Sequence, residues 1–219
     1  MNPRIRVVVF DLDGTLVDTM DAFADKASQL MASYYEIDRK CARELYLETS
    51  GYPFDQQLQQ LFGNNPLTME VAERFEVWKL ELLDGRLKPR LGVKQMIHDI
   101  QVAGYRVAIS SNNSQANVDQ LVADWDLPLH SALGYRNEGF CKGEPHFGWL
   151  QRELQVKRSE FLFVGDSLND CRFALRSDVA FAAVSYTFSE DFFRSSNHCV
   201  KCFGDVTEVG DWLLNSRRL

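Results

Sequence analysis

The sequence predicts an α/β fold in which a doubly wound parallel sheet carries an inserted all-helical segment. Short runs of β-favouring apolar residues alternate with helical patterns over residues 89–219, an arrangement typical of βαβ units. Residues 18–88 show helical periodicity and no strand pattern of their own. We therefore expect a core formed by residues 1–17 and 89–219, and a helical domain formed by residues 18–88.

The first predicted strand covers residues 7–10, where apolar residues are followed at once by acid, glycine and threonine. Asp11 and Asp13 occupy same-face positions just beyond this strand, where open α/β sheets bind ligands. Two carboxylates held so close repel each other unless a cation or a proton relieves the repulsion. This segment is therefore the first candidate for chemistry.

The insertion carries apolar residues at helical spacing, separated by turns that contain Gly, Pro and Asn. The predicted helices include residues 19–34, 41–47, 58–62 and 69–83. A block inserted directly after the first strand would stand over the carboxyl ends of the strands, as a lid does. We therefore expect the insertion to act as a cap.

Strands and helices alternate in the remainder of the chain. The further predicted strands are residues 105–110, 132–135, 161–164 and 180–184, and the predicted helices include 93–100, 118–125 and 147–154. The single Cys-x-x-Cys pair, Cys199 and Cys202, fits a short strand better than a metal site, which would need further ligands. The pattern as a whole predicts a parallel sheet with right-handed crossovers.

Polar clusters follow the strong strands of this sheet. They are Ser110-Ser111-Asn112-Asn113 and Gly165-Asp166-Ser167-Leu168-Asn169-Asp170, with an isolated Lys142 between them. Because the carboxyl ends of parallel strands share one edge, these side chains can converge with the first two acids. Carboxylates, hydroxyls and a lysine describe a site for a hard cation and a phosphate, and oxygen-only ligands suit Mg²⁺.

Composition and charge exclude several classes of partner. The formal net charge is −7, which disfavours a nucleic-acid backbone. No segment has the length of apolar sequence that a membrane span needs. Five scattered cysteines are most simply free thiols of a reduced, cytoplasmic protein. The oligomeric state stays open.

Four of these motifs, taken in order, resemble the haloacid dehalogenase (HAD) superfamily. They are Asp-Leu-Asp-Gly-Thr at 11–15, the strand-end Ser110, the isolated Lys142 and the run from Gly165 to Asp170. The helical insertion is similar to the α-helical cap of the phosphatase and phosphomutase branch. The resemblance covers nearly the whole chain and implies a HAD-like Rossmannoid core.

The resemblance also implies roles for the acids. Asp11 would be the nucleophile that attacks phosphorus and forms an aspartyl-phosphate, because an ionised carboxylate needs no separate base. Asp13 would protonate the leaving oxygen and later help to deprotonate water. Mg²⁺ would be held by a side-chain oxygen of Asp11, the backbone carbonyl of Asp13 and Asp166, with Asp170 completing the acidic ring.

The resemblance implies a phosphate-binding group as well. Ser110 and the backbone amides of Ser111 and Asn112 would bind the phosphate oxygens, and Lys142 would balance charge in the transition state. One position departs from the family pattern, since many relatives place proline directly after this lysine and Gly143 stands here. The backbone next to Lys142 is therefore expected to be less constrained.

The function expected first is Mg²⁺-dependent hydrolysis of a small phosphorylated metabolite, a phosphate monoester. Dehalogenases and phosphonate-cleaving relatives lack the second acid, so Asp13 argues against both. A phosphomutase acting on a sugar phosphate, similar to beta-phosphoglucomutase, would use the same core residues. A non-catalytic regulator that binds a phosphorylated ligand is a third reading, although it would have no need of Asp13.

Substrate contacts are expected from the cap. The segment after Gly51 resembles the substrate-facing loop of the family, with aromatic surface from Tyr52 and Phe54 and hydrogen bonds from Gln56 and Gln57. The cap lysines are expected to be solvated surface charges; they are Lys26, Lys40 and Lys79. Which phosphate ester is bound cannot be read from these residues.

Overall fold

The structure is a computed structural model that describes residues 5–83, 87–194 and 198–216. Its internal contacts divide the chain into two compact units. One unit contains the residues up to Asp18 and from Lys88 onward, and the other is Thr19–Leu87.

The larger unit contains a six-stranded sheet. Its strands are β1 (Val7–Phe10), β2 (Arg106–Ser114), β3 (Ser131–Tyr135), β4 (Phe161–Gly165), β5 (Ala180–Val184) and β6 (Cys199–Phe203). Their order is β3-β2-β1-β4-β5-β6, and every neighbouring pair is parallel. The predicted doubly wound parallel sheet is confirmed, with the first strand at its centre.

Helices account for the rest of the regular structure. Those of the smaller unit are α1 (Met20–Tyr35), α2 (Arg39–Thr49), α3 (Phe54–Phe62) and α4 (Pro66–Leu83). Those of the larger unit are α5 (Val93–Val102), α6 (Gln115–Trp125), α7 (Glu144–Leu154), α8 (Leu168–Arg176), α9 (Glu190–Arg194) and α10 (Thr207–Ser216). In the part of the chain described, none of these combines the length and apolar composition of a bilayer-crossing helix.

The central strands are buried on both faces, as expected for a parallel sheet covered by helices. All four residues of β1 are inaccessible to solvent. Val7 and Val9 belong to one apolar cluster with Phe147 and Leu150 of α7. This burial explains why the first and fourth strands read as unbroken apolar runs, and it anchors the residues that follow them.

Strand β2 is longer than the sequence predicts. It continues through the polar run and ends at Ser114, because pairing with β3 resumes at Ser114 and Tyr135. Between Ser110 and Ser114 the register with β3 shifts. The predicted end at Ser110 was wrong because consecutive Ser and Asn residues are typical of turns, and only the neighbouring strand extends them here.

The helical unit has an aromatic interior that corrects one sequence expectation. Phe54 is only 3% exposed, and its ring centroid lies 4.4 Å from that of Phe75. Gln57 is buried too: its Oε1 accepts a hydrogen bond from Thr49, and its Nε2 donates one to the carbonyl of Tyr52. Phe54 and Gln57 therefore stabilise this unit internally instead of presenting surface to a substrate.

Lys79 also differs from its expected role as a solvated charge. Its side chain is only 9% exposed, and its Nζ lies 3.3 Å from Oε1 of Glu76, one helical turn away. The same Nζ stands 5.6 Å from the ring centroid of Phe23. The long aliphatic stem is thus buried against aromatic residues while a carboxylate partly compensates the charge.

Candidate active site

Asp11 lies directly beyond the central strand β1. Its backbone N–H donates to the carbonyl of Val164 at 2.8 Å, which continues the pairing of β1 with β4. Its carboxylate is buried, and Oδ1 is 2.7 Å from Nζ of Lys142. The sheet therefore fixes the first acid of the sequence motif against the one isolated lysine.

Asp170, in the first turn of α8, joins this ion pair. Nζ of Lys142 also donates to Oδ1 of Asp170 at 2.9 Å. Oδ2 of Asp170 accepts from both the backbone N–H and the hydroxyl of Ser167, which caps α8. A Cβ on Gly165 would stand 2.7 Å from the Asp170 carboxyl, so only glycine allows this approach.

Three buried carboxylates converge at this edge of the sheet. Asp11, Asp166 and Asp170 each offer an oxygen, and these oxygens lie within 4.8 Å of one another. A buried cluster of acids is costly unless opposite charge is added. Lys142 supplies one positive charge, and an all-oxygen donor set fits a hard divalent cation. The cluster is thus a candidate metal centre.

Burial controls the protonation of these acids. Desolvation raises the pKa of Asp11 well above its usual range, although Lys142 opposes this effect. Desolvation, followed by the charge of Asp170, raises the pKa of Asp166 to about 7. Burial alone would lower the pKa of Lys142, but Asp11 and Asp170 raise it well above its usual value. The lysine is therefore a permanent cation in this site.

Two threonines that sequence reasoning missed donate hydrogen bonds to Asp166. The hydroxyl of Thr15 lies 3.3 Å from Oδ1, and the hydroxyl of Thr187 donates to Oδ2. Thr187 follows β5, so the rule that locates ligands beyond parallel strand ends could have found it. Thr15 belongs to the first motif, but the motif alone assigns no partner to its hydroxyl.

Asp13 is partly exposed and has a side-chain partner on β2. Nδ2 of Asn113 donates to its Oδ2 at 3.3 Å. Oδ1 of Asn113 accepts from the N–H of Ser114 and from Nδ2 of Asn117, so the amide is oriented with its donor toward Asp13. Asn113 was seen in the sequence as part of a polar run, without a role.

The side chains at the polar end of β2 form hydrogen bonds that differ from those expected from the sequence. The hydroxyl of Ser110, which is fully buried, lies 2.9 Å from Nδ1 of His146. The hydroxyl of Ser111 accepts from the N–H of Asn113, an arrangement that leaves its own proton to donate. Oδ1 of Asn112 accepts from the N–H of Lys142 at 3.0 Å. The side chains of Ser110 and Asn112 are thus occupied by α7 and the lysine loop.

Buried acids and a lysine beyond the strand ends of a parallel sheet indicate an α/β enzyme. Residues 8–184 match the family model of haloacid dehalogenase-like hydrolases. The chain belongs to that family, and the predicted resemblance is confirmed.

Known proteins of similar sequence and fold agree with this assignment. A phosphoglycolate phosphatase from Mesorhizobium japonicum is 26% identical over 199 residues, which cover 86% of each chain. The structure of a hydrolase from Pseudomonas syringae superposes with a TM-score of 0.80 at 13% identity, covering 96% of this chain and 98% of that one. A protein assigned as a beta-phosphoglucomutase from Bacteroides vulgatus gives 0.76 at 14% identity, covering 98% and 90%. The chain is therefore a hydrolase, and its relatives support the expected hydrolysis of phosphoric monoesters.

Proposed function

We propose that this protein is a Mg²⁺-dependent phosphatase that hydrolyses a small phosphate monoester through an aspartyl-phosphate on Asp11. The observation that carries the proposal is the pairing of buried Asp11 with Lys142, 2.7 Å away, beside two further acids. A carboxylate beside a fixed cation is a nucleophile that a phosphate can approach. Phosphatases among the curated relatives support the same reaction class.

In the first step, an oxygen of Asp11 attacks phosphorus and displaces the alcohol of the ester. The backbone bond to Val164 holds Asp11 at the strand end, and Lys142 balances the charge that the transition state spreads over the phosphoryl oxygens. The bond that forms joins phosphorus to the aspartate oxygen, and the bond that breaks releases the alkoxide leaving group.

Asp13 handles the protons of both steps. Its carboxyl donates a proton to the departing oxygen, and the resulting carboxylate accepts one from the water that hydrolyses the aspartyl-phosphate. The hydrogen bond from Asn113 holds this carboxyl in one orientation. Partial exposure of Asp13 is consistent with a group that must exchange protons with substrate and water.

Phosphate binding falls to Ser111 together with the backbone amides of Ser111 and Asn112. We assign the hydroxyl contact to Ser111 instead of Ser110, because the Ser110 hydroxyl is already bound to His146. These amides lie where the register of β2 with β3 shifts, at the carboxyl edge of the parallel sheet, which is where open α/β sheets bind ligands.

The donor set fits a divalent cation held by Asp11 and Asp166, with Asp170 adding negative charge beside them. The resemblance adds the backbone carbonyl of Asp13. When bound, Mg²⁺ supplies the positive charge that lets a phosphate dianion approach a carboxylate. Thr15 and Thr187 keep the Asp166 carboxylate in a fixed orientation for that purpose.

The test is release of inorganic phosphate from a generic aryl phosphate, with and without Mg²⁺, followed by a panel of small esters that includes phosphoglycolate and sugar phosphates. We expect Mg²⁺-dependent turnover in the wild type and a loss of at least about 10⁴-fold in Asp11→Asn. The control is Asp126→Asn, an exposed acid on the same unit. No turnover of any ester by metal-loaded protein would contradict the proposal, and net isomerisation of a sugar phosphate would favour the phosphomutase.

A further inference from the structure

The loop that carries Lys142 has a backbone conformation that proline cannot adopt. Gly143 has φ of 100° and ψ of −140°, whereas proline is restricted to φ near −65°. A Cβ at this position would also stand 3.0 Å from the ring of Phe173. Glycine is therefore required here, although it makes the chain beside the lysine intrinsically flexible.

Two side-chain hydrogen bonds join this loop to the end of β2. Oδ1 of Asn112 accepts from the backbone N–H of Lys142 at 3.0 Å. Four residues after the lysine, in the first turn of α7, Nδ1 of His146 lies 2.9 Å from the hydroxyl of Ser110. The loop is thus held on both sides of Gly143 by neighbouring residues of one strand.

The His146–Ser110 pair is fully enclosed. Both residues are inaccessible to solvent, and the imidazole ring packs against Phe140 with ring centroids 4.8 Å apart. Burial is the main cause that lowers the pKa of His146 to about 3; a hydrogen bond with the backbone of Gly134 opposes this effect, and the charges of Lys142 and Arg136 add to it. The imidazole is therefore neutral at physiological pH and keeps one hydrogen-bonding arrangement with the serine.

We propose that His146 is a positioning residue that acts through Lys142. By binding Ser110, it fixes the start of α7 against β2, and so holds the flexible Gly143 loop in the position where Lys142 contacts Asp11. This role replaces the stiffness that a proline after the lysine would give. The inference rests on the proposed function, because its effect is on the charge that Lys142 supplies during phosphoryl transfer.

The experiment compares kcat and KM for an aryl phosphate in His146→Phe, Lys142→Met and the double variant. His146→Phe preserves much of the ring volume and removes the bond to Ser110. We expect kcat to fall on the order of 10²-fold with little change in KM, because displacement of a charged group by about 1 Å has effects of this size. In the Lys142→Met background, the same substitution should lower kcat less than about twofold.

Three further variants separate positioning from a general loss of stability. His146→Asn, which can still hydrogen-bond to Ser110, should recover most of kcat. Ser110→Ala removes the bond from the other side and should reproduce the loss. Leu150→Ala, a cavity in the same helix, should lower the melting temperature at least as much as His146→Phe while leaving kcat near the wild-type value.

Two results would overturn the inference while leaving the phosphatase intact: an unchanged kcat in His146→Phe, or losses that multiply in the double variant. A wild type that turns over no phosphate ester is a different outcome, because it removes the proposed function and the inference together. Equal loss of kcat in Leu150→Ala would also count against a positioning role, since packing alone would then explain the effect.

Discussion

Charged groups are buried at the carboxyl edge of the sheet, whereas most ion pairs of the helical unit lie on its surface. The side chains of Lys142 and Asp11 are 3% and 5% exposed, and their pair measures 2.7 Å. Arg43 pairs with Asp21 at 2.5 Å, but these side chains are 32% and 93% exposed. The geometry is similar in both places, but the solvation is not.

Buried charge pairs can contribute more to chemistry than exposed ones. Water screens an exposed pair and supplies its hydrogen bonds, so forming or breaking that pair changes little. In a buried cluster, no bulk water screens the charges or replaces their hydrogen bonds, so each charge is stabilised by the others. The sheet edge therefore concentrates strong, fixed fields, and the helical unit uses an aromatic interior for its stability.

Among the substitutions that compare these two regions, removal of the buried lysine should have the largest combined effect on activity and stability. Lys142→Met leaves Asp11 and Asp170 without their common cation, and we expect kcat to fall about 10²- to 10³-fold. The free energy of unfolding should fall by about 3–5 kcal/mol in the absence of metal. Steady-state kinetics and urea unfolding measure the two losses. A change below about 1 kcal/mol would remove the distinction between the two regions.

A cavity in the helical unit should cause a similar loss of stability, although no candidate catalytic residue is changed. Phe54→Ala removes a ring that packs against Tyr46 and Phe75, and we expect unfolding to become easier by about 3–5 kcal/mol. Tyr52→Ala, at a half-buried position two residues earlier, is the matched control and should cost less. If Phe54→Ala changed substrate preference but not stability, the aromatic side chain would have a ligand-binding role after all.

The pH dependence of stability should reveal the buried Asp166. Its folded pKa is about 7 and its unfolded pKa about 4, so the folded state retains a proton that the unfolded chain loses. The resulting stability is fully present below about pH 4 and is lost as the pH rises through about 7. In the presence of a chelator, the melting temperature of Asp166→Asn minus that of the wild type should therefore increase between about pH 5 and pH 8.

Mg²⁺ should restore the stability that the wild type loses as the pH rises. At about pH 8, the cation should raise the melting temperature of the wild type more than that of Asp166→Asn, because binding to the folded state stabilises it. A constant difference between the two proteins across the pH range would show that Asp166 has no raised pKa in the folded state. Equal stabilisation of both proteins by Mg²⁺ would place the cation elsewhere.

The smallest effect is expected for the surface network of the helical unit. Arg43→Ala removes pairs with Asp21 and Asp25, yet the free energy of unfolding should change by less than about 1 kcal/mol. Urea unfolding at low and high salt checks this expectation. A loss comparable to that of Lys142→Met would show that the exposed network stabilises the fold as strongly as the buried site.

Most of the fold and the acidic residues of the site could be predicted from local sequence patterns. The strand at residues 7–10 could be predicted because a fully buried parallel strand is an uninterrupted apolar run, and Asp11 follows from its end. Asp166 and Asp170 could be predicted in the same way from β4. In each of these cases the prediction needs only residues that are close together in the sequence.

Contacts that depend on strand register, or on which face of a helix packs inward, could not be predicted in this way. The bond between Ser110 and His146 requires the position of α7 against β2, and Asn113 meets Asp13 across 100 residues. In the helical unit, periodicity located the helices but did not show that Phe54 faces inward. Single-sequence patterns specify elements, whereas tertiary packing decides which side of each element is used.

The central claim is that Asp11 becomes phosphorylated. The most direct measurement mixes the Mg²⁺-loaded Asp13→Asn variant with an activated aryl phosphate, quenches with acid and maps the peptides by mass spectrometry. An activated leaving group needs no protonation, but hydrolysis of the intermediate does need the base. We predict a burst of aryl alcohol equal to the enzyme and one phosphoryl group on Asp11. A wild type that turns over, with neither burst nor phosphorylated Asp11 in the variant, would contradict the account.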